Sequence, residues 1–140
     1  MKALFFSFIM AGMLLTACNQ STDNSTAGNT SGNAANAPVM KFEKGIHDFG
    51  KIKSGDKVTY DFKFTNSGSS PLIITDGYAS CGCTKPTWPK TPIKPGESGM
   101  IHVVFSSAGK HGLQDKLITI TANTNPAQNV VHLIGEVLIN

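Results

Sequence analysis

The sequence predicts an all-β protein: a two-sheet sandwich of about seven short strands, preceded by a signal peptide and a flexible tether. Three observations carry that prediction. From Val39 onward the apolar period is two rather than 3.6, turn residues interrupt the chain at short intervals, and no stretch has a helical period.

The leader comes first. Lys2 gives a positive start, Ala3 to Leu15 is almost unbroken apolar sequence, and Leu15-Thr16-Ala17-Cys18 follows. That run is shorter than the ~20 residues a membrane-spanning helix needs, and it suits the apolar core of a signal peptide. Small residues placed directly before a cysteine resemble the bacterial lipobox. The resemblance implies cleavage after residue 17, diacylglycerol on the Cys18 thiol and acylation of the new amino terminus. Two or more acyl chains make a stable anchor where one is marginal. The expected partner is therefore a membrane, reached through lipid, in the cell envelope.

Residues 18–38 read as lipidated cysteine and tether. Asn19 to Pro38 holds no large apolar residue, so it cannot bury enough surface to offset its ordering entropy. Its r.m.s. reach is about 25 Å for a flexible chain. Neither an aspartate after Cys18 nor an acidic run in the tether is present, which points to the periplasmic face of the outer membrane.

Residues 39–140 have the length of one domain. Met40–Phe49 opens it with Phe42, Ile46 and Phe49. Val58, Tyr60, Phe62 and Phe64 then alternate with polar residues, the mark of a strand with one buried face. Leu72–Thr75 begins another strand. Ile101, Val103 and Phe105 alternate with Met100, His102 and Val104, while Ile118 and Ile120 share a face of Lys116–Ala122. Asn129–Ile139 is the last strand. Ser54-Gly55-Asp56, Lys94-Pro95-Gly96, Gly109 to Gly112 and Asn123-Thr124-Asn125-Pro126 supply the turns. This spacing suits an immunoglobulin-like sandwich, with a barrel as the main rival. The antibody-type Cys…Trp…Cys framework is missing, so the likeness is architectural.

Several segments in order resemble the bacterial domain of unknown function 1573: Phe42–Ile52, Tyr60–Gly68, Pro71–Ile74, Ala79–Thr84, Ile93–Gly99 and Thr121–Pro126. The resemblance implies an immunoglobulin-like sandwich related to the Hydin-type domains of cilia and centrosomes. It implies no established activity.

Composition narrows the partners. The chain has 12 basic residues against 9 acidic ones, for a net charge of +3. Every basic residue is a lysine, so the bidentate guanidinium contacts of base readout are missing. The lysines are scattered, and nucleic-acid binding is not expected. Sequence signatures of hydrolases, P-loops and zinc peptidases are absent. His47 and Asp48, adjacent on a strand, point to opposite faces and form no dyad. No cofactor is expected.

Cys81-Gly82-Cys83 is the sharpest motif. With Cys18 consumed by lipid, an even pair remains in a disulfide-permitting compartment. Three readings stand open: a small-ring disulfide or plain buried thiols, a dithiol that exchanges electrons, and a soft-metal site for copper or zinc. In an extended strand, residues two apart lie near the limit for bridging, and Gly82 permits a tighter, positive-φ turn. The metal reading adds Met100 and His102, which share one strand face. The loop Thr84–Pro92 offers Lys85 and Trp88 for recognition, with a core-capping role for Trp88 as its rival. The expected function is a non-enzymatic binding or scaffold module for an envelope protein or glycan. The alternative is a periplasmic thiol-redox or soft-metal protein using Cys81 and Cys83.

Overall fold

The computed structural model describes residues 36–139. The expected signal peptide, Cys18 and the tether up to residue 35 lie outside the described residues. Eight strands follow in order: β1 (Met40–Phe42), β2 (Ile46–Lys53), β3 (Lys57–Asn66), β4 (Ile74–Ala79), β5 (Thr84–Thr87), β6 (Ser98–Ser106), β7 (Gly112–Ala122) and β8 (Gln128–Leu138). They form two four-stranded sheets. Sheet I has the order β1-β3-β6-β5 and sheet II the order β2-β8-β7-β4. The domain is an immunoglobulin-like β-sandwich, and the two faces that meet are the apolar ones.

Alternation places the core. Phe62, Phe64, Ile101, Val103 and Phe105 point inward from sheet I, and Ile118, Ile120, Val131, Leu133 and Val137 from sheet II; all are buried. Phe42 meets Phe64 edge-on at 5.8 Å, and Phe49 crosses from sheet II to lie 5.7 Å from Phe105. Phe49 passes directly over Gly135, where any Cβ would collide with the ring and with the Gly50 carbonyl. His47 stacks on Tyr60 at 3.5 Å and closes that side between the sheets.

The opening segment Met40–Phe49 divides between the sheets, because Glu43-Lys44-Gly45 carries the chain from sheet I to sheet II. Met40 then pairs with Asn66, while Ile46 pairs in parallel with His132. Thr84–Thr87, expected to be loop, is strand β5. Cys83 accepts a bond from Ser106 N–H, so Lys85 and Thr87 bond toward β6, and Pro86 turns its missing N–H outward. An edge strand tolerates proline there.

The tether's last residues also differ from expectation. Pro38 is buried, and Ser70 Oγ donates to the Asn36 carbonyl. Fully buried Asn66 ties this entry to the domain. Its Oδ1 accepts from Val39 N–H and Gly68 N–H, and its Nδ2 donates to the Ser70 and Ile93 carbonyls. The expected turns occur, with positive φ at Gly55, Gly96, Gly109 and Gly112 and a cis bond before Pro126.

Candidate functional site

The chain crosses from sheet II to sheet I through Cys81-Gly82-Cys83, on the flank where edge strands β4 and β5 lie together. Cys81 and Cys83 are disulfide-bonded, with Cα atoms 5.2 Å apart. That spacing comes from a β-turn, closed by Thr84 N–H to the Cys81 carbonyl at 3.2 Å. Gly82 does not use the positive φ open to it, and a Cβ there would meet nothing within 4 Å. The turn pulls the two Cα atoms inside the usual bridging range without a left-handed residue. Both sulfurs are half-buried beside the buried Thr84 hydroxyl, at 3.7 and 3.9 Å.

A shallow open groove of about 450 Å³ runs beside the bridge, lined in part by Tyr78, Lys85 and Thr87. Its backbone is guarded against strand addition. The Thr84 N–H is used by the turn, Pro86 has none, and the Gly77 N–H bonds to Asp76 Oδ1 at 2.8 Å.

Trp88 follows β5 and folds inward. Its ring packs over Gly77, where a Cβ would stand 2.8 Å from the ring, and it joins the partly buried shell of the core. Lys90 Nζ lies 3.5 Å from the ring centroid. Lys85 instead projects from the outer face of sheet I, opposite Val104. The structure therefore does not bring Lys85 and Trp88 into one contact, and the lysine that sits on Trp88 is Lys90.

The four-residue ligand set is also divided. Thr87 pairs with His102, whereas Cys83 sits level with Ser106. Four residues along β6 span about 13 Å at ~3.3 Å per residue, far more than one ion can bridge. Met100 and His102 share the outer face of sheet I, as expected, and stand apart from the cysteines. Among the described residues, no group of three or more His, Cys, Asp or Glu side chains is arranged to hold a metal.

Sequence reading missed two cross-strand pairs. His102 Nδ1 lies 2.6 Å from Asp61 Oδ1 on sheet I, and His132 Nδ1 lies 2.9 Å from Asp115 Oδ1 on sheet II. Only the strand register brings these residues together, so no local motif announces them. His47 has no such carboxylate contact and stacks on Tyr60 instead. Burial lowers its pKa, Lys44 adds to that, and Asp48 opposes it.

The outer faces of the two sheets differ in character. Sheet I presents Lys57, Thr59, Asp61, Lys63 and Thr65 from β3. Sheet II presents apolar side chains on every strand: Ile46 (59 % exposed), Leu113 (87 %), Leu117, Val130 and Tyr78. The register gathers four of them, with Ile46 beside His132, His132 beside Leu117, Thr119 beside Val130, and Tyr78 beside Thr119, while Leu113 stands opposite Glu136.

These features define an immunoglobulin-like β-sandwich with one disulfide-closed flank and one outer face rich in exposed apolar residues. The chain belongs to the family described as protein of unknown function (DUF1573), which matches residues 40–137. No curated protein matches it. Among solved structures it is similar to a protein of unknown function from Porphyromonas gingivalis W83, at 19% identity and a TM-score of 0.66. That match covers 78% of this chain and 51% of the other, so this chain corresponds to about half of it. It is also similar to the ASH/PapD-like domain 7 of human CEP192, at 7% identity and a TM-score of 0.55, covering 96% and 99% of the two chains. The secreted serine protease VesC of Vibrio cholerae matches at 13% identity and a TM-score of 0.54, over 73% of this chain and 23% of that one. At these identities the likeness is one of fold.

Proposed function

We propose that this chain is a bacterial envelope lipoprotein, acylated on Cys18 and held at the periplasmic face of the outer membrane. Its sandwich is a non-enzymatic module that docks an envelope protein. The observation that supports docking is the apolar outer face of sheet II. Exposed apolar side chains gathered on four strands, with His132 and Thr119 between them, are the kind of patch that marks an interaction surface. The β8 run Val130-Val131-His132-Leu133-Ile134 is apolar on both faces, which is how a strand covered on both sides reads. Aliphatic residues favour a protein over a glycan, and the acidic residues Asp48, Asp76, Asp115 and Glu136 around them disfavour an anionic lipid surface.

Two measurements test the proposal. A fatty-acid label should enter the wild type and be absent from Cys18→Ala, which should also leave the membrane fraction. A photo-crosslinker at Leu117 should give one discrete protein adduct in intact envelopes, while one at Thr59 on sheet I gives none. Equal adducts at both positions, or none at Leu117, would remove the docking role. A thiol-exchange role has one observation in its favour, the half-buried bridge beside an open groove. Mixed disulfides accumulating on a Cys83→Ser variant would put that role in place of docking.

A further inference from the structure

We propose that Met100 and His102 form a two-donor site for a soft monovalent cation, Cu(I), on the outer face of sheet I. It goes beyond the docking role and does not use the cysteines. The residues stand two apart on β6, opposite Lys63 and Asp61 of β3. Side chains two apart on a strand project in parallel from Cα atoms about 6.6 Å apart. An imidazole nitrogen and a thioether sulfur can converge on one ion from there.

Asp61 prepares the histidine. Its carboxylate accepts only, so the 2.6 Å contact places the proton on His102 Nδ1. The lone pair is then on Nε2, at the free end of the ring. A carboxylate behind a ligating imidazole fixes the tautomer, orients the ring and raises its basicity.

Met100 is 54 % exposed on a face that, apart from His102 and Val104, is built from Lys, Thr, Asp and Ser. Its methyl adds nothing to the core, and thioether sulfur is a donor for soft ions. Donor softness favours a monovalent ion. Lys63 lies opposite Met100, but Glu43 holds its ammonium at 2.7 Å and offsets it. Two protein donors also fall short of the three or four that zinc takes. The remaining coordination position is open, which suits an ion that is passed on.

The molecule contains its own control. His132 is held by Asp115 in the same way, but its strand neighbours are Ile46 and Leu117, neither of which is a thioether or a thiol. The carboxylate–histidine pair is common to both sheets, and the soft donor is found on one.

The test uses the full chain with Cys18→Ser, which removes the lone thiol, and with the 81–83 bridge intact. Ag(I) is the probe for magnetic resonance of methyl-labelled methionine, and Cu(I) held by ascorbate is titrated against a chromogenic chelator. One equivalent of Ag(I) should shift the Met100 methyl and the His102 ring, leaving the buried Met40 methyl in place. Met100→Leu and His102→Gln should each weaken Cu(I) binding tenfold or more. Asp61→Asn should weaken it about tenfold, the range for a lost outer-shell partner, and His132→Gln should leave it unchanged. An unmoved Met100 methyl at one equivalent of Ag(I) would overturn the site. So would equal losses in His102→Gln and His132→Gln, or a Zn(II) affinity that matches Cu(I).

Discussion

The outer faces of the two sheets start from the same pleat and end in different chemistry. On sheet I, β3 alternates cleanly, with Val58, Tyr60, Phe62 and Phe64 inward and Thr59, Asp61 and Lys63 outward. On sheet II, β7 and β8 place Ile118, Ile120, Val131 and Leu133 inward, yet Leu117, Val130 and Ile134 outward. The inner faces are equivalent because both must exclude water. The outer faces are under no such requirement, so their difference reports what each meets. Sheet I has the composition of a solvated face, and sheet II leaves apolar side chains exposed on every strand.

If the inner faces are equivalent, truncation on either sheet should be severe. Phe62→Ala should cost about 3–5 kcal/mol and Leu133→Ala about 2–5 kcal/mol in denaturant unfolding. A loss below about 1 kcal/mol at one of them would break the symmetry of the core. Asn66→Ala comes next. It removes the acceptor of the Val39 and Gly68 N–H groups and a donor to the Ser70 and Ile93 carbonyls; Ile93 keeps its bond from Leu72 N–H, and each group left without a partner costs about 1–3 kcal/mol. A loss near zero would show that water takes over the hub.

The outer faces should respond differently from the core and from each other. Ile46→Ser/Leu113→Ser should change stability by no more than about 0.5 kcal/mol per site, as exposed positions usually do, while lowering the binding of a hydrophobic dye. Serine at Thr59 and Thr65 should leave dye binding where it was. Equal dye responses would erase the contrast between the sheets. Gly82→Ala should change stability by less than about 0.5 kcal/mol with the bridge still formed, because a Cβ there meets open space. A larger loss, or free thiols, would show that the turn needs glycine's conformations.

The sandwich was legible in the sequence because a period of two, interrupted by turn residues, leaves few other folds. The inward residues of β3, β6 and β7 could be read from alternation alone. Strand β5 could not, because Pro86 argues against a strand until its neighbours show that it lies at an edge. The break at Glu43–Gly45 was hidden for a related reason: crossing between sheets does not interrupt alternation, and only pairing partners reveal it. Within the site, the proximity of Cys81 and Cys83 was readable from spacing. The Asp61–His102 and Asp115–His132 pairs, separated by 41 and 17 residues, depend on register and leave no local trace. The sheet II patch was present as apolar residues on both faces of β8, a pattern that a strand with one wet face does not need.

The smallest expected effect separates the three histidines that contact β-sheet neighbours. His102 and His132 each face a carboxylate on an outer surface. His47 instead lies between the sheets against Tyr60, where partial burial and Lys44 outweigh Asp48 and lower its pKa below the ordinary 6.5. Its folded form therefore binds a proton less readily than its unfolded form. Above the unfolded pKa both forms are neutral, and the contribution of His47 to stability is fully present. As the pH falls through that value toward the lower folded pKa, the unfolded chain takes up more protons and stability declines. The loss is modest, because the ring is only partly removed from water. A His47→Phe variant keeps a ring on Tyr60 without a titrating group, so its stability should decline less than the wild type's between about pH 6.5 and the lower folded value. Identical pH profiles for the two proteins would show that burial does not lower the pKa of His47.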